Sequence, residues 1–573
     1  MDKRFFIALV LTAIVIVAPP LLFQKKTAPQ AAATAADSTL ARRDSASVPG
    51  AQTSGSSAAA TVPTQPGAVP GVAPGSPAPV VVETTTVQTR LARYAFSSRG
   101  AAPISVALDS YPTRRPLGKK LPSELVPPGT ALSRYHLALG RDTIALDTIA
   151  LHAEVKSAGT NPSVSYSGTA AGHPIAITYD VMPDSFLLRV SASVAGAPPG
   201  SALLLDLPRT LRSNEPDTLE DIGHLAVSYR LGSGDIESVG FSKLDTNEVR
   251  GEARPVNWLA ARNKYFLVAY RAPTKTPFTA IRLQGGKRNG KLANDVGATA
   301  VLPLTGDGRA AFDIYAGPQD FERLQRLGND LDQVNPYGGF LRGLVQPFAT
   351  IVMRVLLWIK HTTHLNYGWV LVLFGVSIRL VLWPLNQGAM RTSMKMQRLQ
   401  PELQALQKKY SDDPRKQQEA VMKVYKDHGM SPLSPLMGCL PMLLPMPVLF
   451  ALYFVFQNTI EFRGVSFLWL PDISLRDPYF ITPILMGLSM FVMSWVGMRN
   501  SPPNPQAKMM MFMMPVMLTV LFFNFASGLN LYYAVQNIAA IPQQWLLAHE
   551  RGKEPAVATV VRGSPAPAQK RRT

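Results

Sequence analysis

Cysteine is almost absent: Cys439 is the only one in 573 residues. That excludes an intramolecular disulfide and a thiolate metal cluster. Cys439 sits in an apolar run and reads as a small hydrophobe. Histidine is scarce too, with eight, and none stands in HExxH spacing. A GxxxxGK[ST] loop and a GxSxG elbow are also missing. The sequence therefore offers no nucleotide site, catalytic triad or metal set, and it reads as a non-enzyme that needs no cofactor. Acidic residues number 38 against 57 Lys and Arg, a formal charge of +19. Such an excess suits anionic lipid or RNA-bearing partners and says nothing about fold.

Apolar runs are abundant. Gly368 to Trp383 is apolar apart from Ser377 and Arg379, and with its continuation to Gln387 it is long enough to cross a bilayer, which takes about 20 residues. A guanidinium inside such a span costs about 2.5–3.5 kcal/mol on insertion scales, so an intramembrane charge is a functional candidate. The competing reading is snorkelling, because Arg379 lies about one turn before Trp383 and Pro384.

Upstream, Phe5–Phe23 is a continuous apolar run behind Lys3 and Arg4. It is longer than the h-region of a signal peptide, about 7–15 residues, and reads as an uncleaved anchor. Thr27 to about Pro79 is Ala, Ser, Thr, Pro and Gly, a flexible linker that cannot bury enough surface to order itself. From Val80 to about Asp320 short alternating runs appear, among them Thr143–Leu151, Ile175–Tyr179, Phe186–Val194 and Tyr265–Tyr270. They predict an all-β sandwich. Its aromatic patch from Asn257 to Phe266 is either a buried strand pair or a binding surface. Gln319–Asp332 reads as one helix. Phe340–His361 reads as an amphipathic helix lying in the membrane interface.

Beyond Gln387 the chain turns polar and basic. Met396, Leu399, Leu403, Leu406 and Tyr410 form the seam of one helix, and Val421, Val424 and Tyr425 that of a returning one. Asp413-Pro414 is its start, as N-cap and first residue. Four more apolar runs follow: Met437–Phe456, Tyr479–Met498, Lys508–Phe525 and Gly528–Leu547. With the basic hairpin inside, the crossings close consistently. The result is six spans, both termini cytoplasmic and residues about 27–340 outside.

Several motifs keep their order and spacing along this half: SIRLVLWPLNQ, SMKMQRLQPELQAL, SPLMGCLPMLLPMPVLFALY, DPYFITPILMG and ASGLNLYYAVQN. Between about Gly368 and Leu547 the chain resembles the YidC-type membrane protein insertases, in the form found in Gram-negative-type bacteria. The resemblance implies a polytopic α-helical protein of the bacterial inner membrane. It has a five-span core with a hydrophilic groove open to the cytoplasm and to lipid, plus an all-β supersandwich periplasmic domain. It also implies an insertase and chaperone that works alone or with the Sec translocon. Arg379 takes the position of the groove arginine. Its implied partners are nascent membrane proteins, the bilayer, the ribosome and the signal-recognition targeting machinery, and not DNA. The ribosome and targeting contacts fall on Lys408, Lys409, Arg415 and Lys416 of the hairpin and Lys570, Arg571 and Arg572 of the tail. Pro445 stands where many members have glutamine, and Ala526 where proline is usual.

The implied partition is an anchor (1–26), a linker (27–79) and a β domain (80–320). Connecting and interfacial helices (321–365), the arginine-bearing span (366–388) and the hairpin (389–431) come next. Four spans (432–548) and a basic tail (549–573) complete it. In the last span Asn530, Tyr533 and Asn537 share one face, either as a wet groove wall or as interhelical hydrogen bonding. Met442 and Met446, with Met509–Met511, Met513, Met514 and Met517, suit a surface that accepts many sequences, or are ordinary lipid-facing hydrophobes. A secondary transporter is the main rival, but no carboxylate partner for Arg379 lies well inside a span, and Glu461 lies at a span's outer end. An enzyme built on the β domain is a second rival, although no paired His/Glu arrangement stands out and the linker suggests a tethered accessory. A membrane scaffold is the third and leaves the arginine unexplained.

Overall fold

The computed structural model describes residues 82–116, 121–156, 161–288, 290, 293–337, 342–384, 386–388, scattered positions from 399 to 410, 413–428, 446–499 and 505–553. The expected anchor, linker and tail lie outside these residues.

The β domain is built from three antiparallel sheets of four, nine and six strands. Strict alternation drives the pairing. In His173–Val181 the side chains of Ile175, Ile177, Tyr179 and Val181 point inward while their neighbours stay partly exposed, the period of two that a one-sided strand requires. The two larger sheets face each other. Tyr179 Oη of the nine-stranded sheet donates to Tyr135 Oη of the six-stranded sheet at 2.8 Å, and Tyr270 Oη donates to the Asp206 carbonyl at 2.6 Å. These phenols are thereby satisfied while their rings fill the core.

Two expected elements are broken. Thr143–Leu151 is a strand only over Asp142–Ala145 and then a 3-10 turn at Leu146–Thr148. Thr148 Oγ1 donates to the Ala145 carbonyl at 2.7 Å, a local bond that competes with sheet pairing. Gln319–Asp332 is not one helix either. After the short helix α1 (Thr218–Gly223) earlier in the chain, α2 covers only Phe321–Leu327. Gly328, Asn329 and Asp330 follow with φ of 75°, 53° and 52°, and three left-handed residues in succession end a right-handed helix. A 3-10 turn at Leu331–Gln333 then buries Leu331. The aromatic patch resolves into a buried strand pair: Val256–Arg262 runs against Phe266–Arg271, with Trp258, Tyr265 and Phe266 at most 1% exposed.

The second half is helical. α3 (Arg342–Thr363) meets α4 (Tyr367–Val381) at a bend of 118°. The break has a local cause: His364 takes a φ of 54° and Asn366 Oδ1 caps α4 by accepting from Gly368 N at 2.9 Å. α5 (Pro414–Asp427) begins at the expected cap, with Asp413 accepting from the amides of Arg415 and Lys416. Its Val421, Val424 and Tyr425 pack against Leu399, Leu403 and Leu406. α6 (Met446–Asn458), α7 (Ile481–Met498), α8 (Pro505–Phe522) and α9 (Ser527–Lys553) complete the chain. Among the described residues α7 alone is long and apolar enough to cross a membrane as a single helix, and α3 with α4 qualify only as a bent pair. The expected span Met437–Phe456 is described from Met446 onward. α9 lies against α7 and α4, and α3 against α6. Its first turn is tied down by Ser527 N and Gly528 N, which donate to the carbonyls of Leu475 and Ile473 at 2.7 and 2.9 Å.

The β domain is seated on this half rather than merely tethered to it. Ile460, from the loop after α6, is 4% exposed and joins the core of the β domain. In the other direction Phe321 and Tyr337 pack into the core of the helices. Between these exchanged side chains, Arg463 of the same loop pairs with Glu215.

Candidate functional site

Arg379 occupies the last turn of α4, where a cation meets the negative end of the helix dipole. It is half-buried. Its Nη2 donates to Gln543 Oε1 of α9 at 2.7 Å. Gln543 is 1% exposed and uses its other end as well, its Nε2 donating to the Trp383 carbonyl at 3.1 Å. One amide thus bridges the guanidinium and the backbone just past α4. Seven residues earlier, on the same stripe of α9, Gln536 Nε2 donates to the Gly375 carbonyl at 3.1 Å and to Tyr532 Oη at 2.9 Å. Two glutamines therefore stitch α9 to α4 along its length, as polar glue between apolar helices.

This contact borders a concavity of about 470 Å³ formed by Val372, Val376 and Arg379 of α4 with Val535, Ile538 and Pro542 of α9. Pro542 lies inside α9; its ring nitrogen cannot bond the Ile538 carbonyl, which loosens the helix where the hollow opens. Apart from Arg379 the walls are apolar. The guanidinium is bound by a neutral amide, so its charge is oriented and has no counter-charge among the described residues. Its Nε is buried without a partner among the described residues.

The polar face of α9 does different work at each position. Asn530 is fully buried, and its Nδ2 donates to the Phe522 carbonyl at the end of α8 at 3.1 Å. Asn537 Nδ2 donates to the Met486 carbonyl and Ser489 Oγ of α7 at 3.3 and 3.2 Å. Tyr533 packs edge-on against Phe522 and Tyr532, with its hydroxyl buried and without a partner among the described residues. The structure thus brings Asn530 and Asn537 to the neighbouring helices and not to Arg379. Met510, Met513 and Met517 are exposed on α8 while Met511 is buried. Met442 lies outside the described residues, as does the side chain of Met446. Of the basic residues, Lys409, Arg415 and Lys416 are exposed, with the Lys409 ammonium 5.5 Å from the centre of the Tyr410 ring. Lys408, Lys570, Arg571 and Arg572 lie outside the described residues.

Gln536 and Gln543 were not among the expected site residues. The available signal was two glutamines seven apart in a mostly apolar stretch, on a stripe about 100° around the helix from that of Asn530.

Comparison with known proteins covers nearly all of this architecture. Residues 84–351 match the family model described as YidC periplasmic domain, and residues 358–554 the one described as 60Kd inner membrane protein. A membrane protein insertase YidC of Chlorobaculum tepidum is 30% identical over 498 residues, covering 81% of each chain. One of Burkholderia cenocepacia is 31% identical over 411 residues, covering 68% of this chain and 70% of the relative. A crystal structure titled active YidC insertase, with the first transmembrane domain resolved, aligns with 82% of this chain and 94% of its own, at 19% identity and a TM-score of 0.33.

Proposed function

The chain belongs to the YidC membrane protein insertase family, and from that membership we propose that Arg379, held by Gln543, is the charge that its clients meet. The family fixes the broader statement. This is a non-enzymatic inner-membrane protein with a β-rich periplasmic domain, and its substrates are nascent membrane proteins. The observation that carries the finer proposal is the 2.7 Å bond between Arg379 and Gln543 beside an apolar hollow. A client segment that leaves water loses hydration of its polar groups. An apolar hollow takes in its hydrophobic residues, and the fixed guanidinium donates to its carboxylates or carbonyls. Because Gln543 is neutral, it spends none of the charge, and because it is buried it holds the fork in one place. The free energy comes from partitioning of the client's apolar span into lipid, aided by the membrane potential on charged segments; no hydrolysis is needed.

In the same proposal Arg379 faces a cytoplasm-open groove of a six-span protein whose two termini are cytoplasmic. Asn537, Met442 and Met446 belong to its walls, while the buried Asn530 and the Tyr533 ring hold the helices behind them together. The hairpin cations Lys408, Lys409, Arg415 and Lys416 and the tail cations Lys570, Arg571 and Arg572 receive the ribosome and targeting machinery, and the Sec translocon is a partner for larger clients.

The test is insertion of a small client with an acidic translocated segment, at matched protein levels. Arg379→Ala loses this activity, Arg379→Lys keeps much of it because the charge remains without the planar fork, and Gln543→Leu, which leaves the charge but not its holder, falls between. Full activity of Arg379→Ala returns the arginine to snorkelling and ends this proposal.

A further inference from the structure

Between the β domain and the helical half lies a small, partly open chamber of about 10 Å³, room for one water molecule. Four buried polar atoms of its lining residues have no hydrogen-bond partner among the described residues: Gln319 Oε1, Asn335 Nδ2, Asn458 Oδ1 and Glu461 Oε2. Gln319, Asn335 and Asn458 are 7%, 9% and 8% exposed. The orientations of Gln319, Asn458 and Glu461 are fixed by what the other end of each group does. Gln319 Nε2 donates to the carbonyls of Asn263 and Phe266 at 2.8 and 3.1 Å. Asn458 Nδ2 donates to the Phe454 carbonyl at 3.0 Å. Glu461 Oε1 accepts from Phe321 N at 3.0 Å. Flipping either amide forfeits those bonds, so the chamber presents three oxygens against one amide donor.

We propose that this chamber is a binding site for one water molecule, closed by a protonated Glu461, and that the seat of the β domain on the helices loosens when Glu461 ionises. With the proton in place, Glu461 supplies a hydroxyl donor. The water supplies two donors and accepts from Asn335, so both amide oxygens find partners. An ionised Glu461 leaves three acceptors competing for the water, with a carboxylate enclosed among them.

The surroundings favour the protonated form. Asp320 and Glu322 at the start of α2 face Glu461, and Asp332 of the 3-10 turn lines the same chamber. Tyr111, Tyr337 and Tyr367 approach from the β domain and from the starts of α3 and α4. The nearby cations are engaged elsewhere: Arg463 with Glu215 at 2.7 Å, and Arg323 with Asp320 at 3.8 Å. Burial first, and Asp320 next, push the Glu461 carboxyl up from its ordinary value to about 8. A carboxyl raised by folding contributes stability that is complete below its unfolded pKa and is lost as pH rises through the folded one. The seat should therefore be strongest below the ordinary glutamate range, weaken steadily as pH rises toward about 8, and level off beyond it.

The experiment uses the full chain in lipid nanodiscs, with thermal unfolding followed by tryptophan fluorescence from about pH 6 to about pH 9, a range spanning the folded value. The wild type should lose several degrees of midpoint across that range. Glu461→Gln, which carries the protonated form's donor permanently, should abolish most of that loss and lie above the wild type at the alkaline end. A Gln variant that follows the wild-type profile, or that does not fold, overturns the proposal. Exchanging sodium for potassium or choline should leave the profiles unchanged; a sodium-dependent midpoint would assign the chamber to a metal ion and overturn the water site. A high-resolution map at acidic pH should show one solvent peak in contact with Gln319 and Asn458, and an empty chamber there also overturns it.

Discussion

Arg463 and Glu215, 248 residues apart in sequence, meet at 2.7 Å with side chains 2% and 7% exposed. The guanidinium also stacks 5.2 Å from the ring centre of Phe266 and 5.9 Å from that of Tyr265. A pair so enclosed gains little net stability over an apolar contact, but removing one partner strands the other charge in the interior. Arg463→Ala should therefore destabilise the seat of the β domain by about 3–5 kcal/mol. The double variant Arg463→Met/Glu215→Leu should recover most of that loss. Thermal unfolding of the wild type, Arg463→Met, Glu215→Leu and the double variant measures the coupling, and a single variant as stable as the wild type would place the seat's strength in Ile460 and Phe321 instead.

How far the sequence revealed this follows from the reach of each signal. Local signals were sufficient where the cause is local: the Asp413 cap of α5, the alternation in His173–Val181, the 3/4 seam of Leu399, Leu403 and Leu406. They failed at Gly328, because the apolar spacing of Phe321, Leu324, Leu327 and Leu331 suits a helix and only the backbone at residues 328–330 reveals the break. Glu461 was visible as a carboxylate at a span's outer end, but nothing near it in sequence tells of Gln319 or Phe321. The same holds for Gln543: its partner is 164 residues away, and spacing within α9 gives the face but not the helix that covers it.

Close helix contacts in the membrane half rest on glycine. A Cβ on Gly487 of α7 would stand 1.9 Å from Thr519 Oγ1 and 3.4 Å from the Pro515 carbonyl of α8. A Cβ on Gly528 would meet the Phe456 ring at 2.6 Å and the Ile473 carbonyl at 3.1 Å. The threonine hydroxyl can rotate away, whereas the ring and backbone at Gly528 are packed on all sides. Gly528→Ala should thus cost about 1–3 kcal/mol and Gly487→Ala less, read as unfolding midpoints in detergent. The reverse order would mean that the turn before α9 adapts more readily than the α7–α8 contact.

Topology is open to direct measurement. In the proposed topology the Lys/Arg-rich hairpin is cytoplasmic and the β domain lies on the other side of the membrane. A reporter active only outside the cytoplasm should be silent when fused near Ser411 and active near Gly285. The opposite pattern would also reverse the side from which Arg379 is reached.

Removing the β domain separates its two roles. On the sequence alone, deletion of Thr89 to Gly308 should leave insertion largely intact, since the domain carries no chemistry and follows a long linker. The structure adds a cost. The deletion removes Glu215 and strips the cover from Ile460 and Arg463, which are 4% and 9% exposed in the full chain. It also removes Asn263 and Phe266, whose carbonyls orient Gln319. Exposing one isoleucine costs about 1.5–3 kcal/mol, so the truncated protein should unfold at a lower temperature while still inserting a small client. Adding Ile460→Ser to the truncated protein should recover part of its solubility and accumulation, because that side chain no longer has a core to enter. In the full chain the same substitution should destabilise. Insertion and unfolding midpoint, measured on all four proteins, distinguish the roles. If insertion fails at normal accumulation in both truncated proteins, the β domain takes part in the work itself and is more than a lid seated on Ile460 and Arg463.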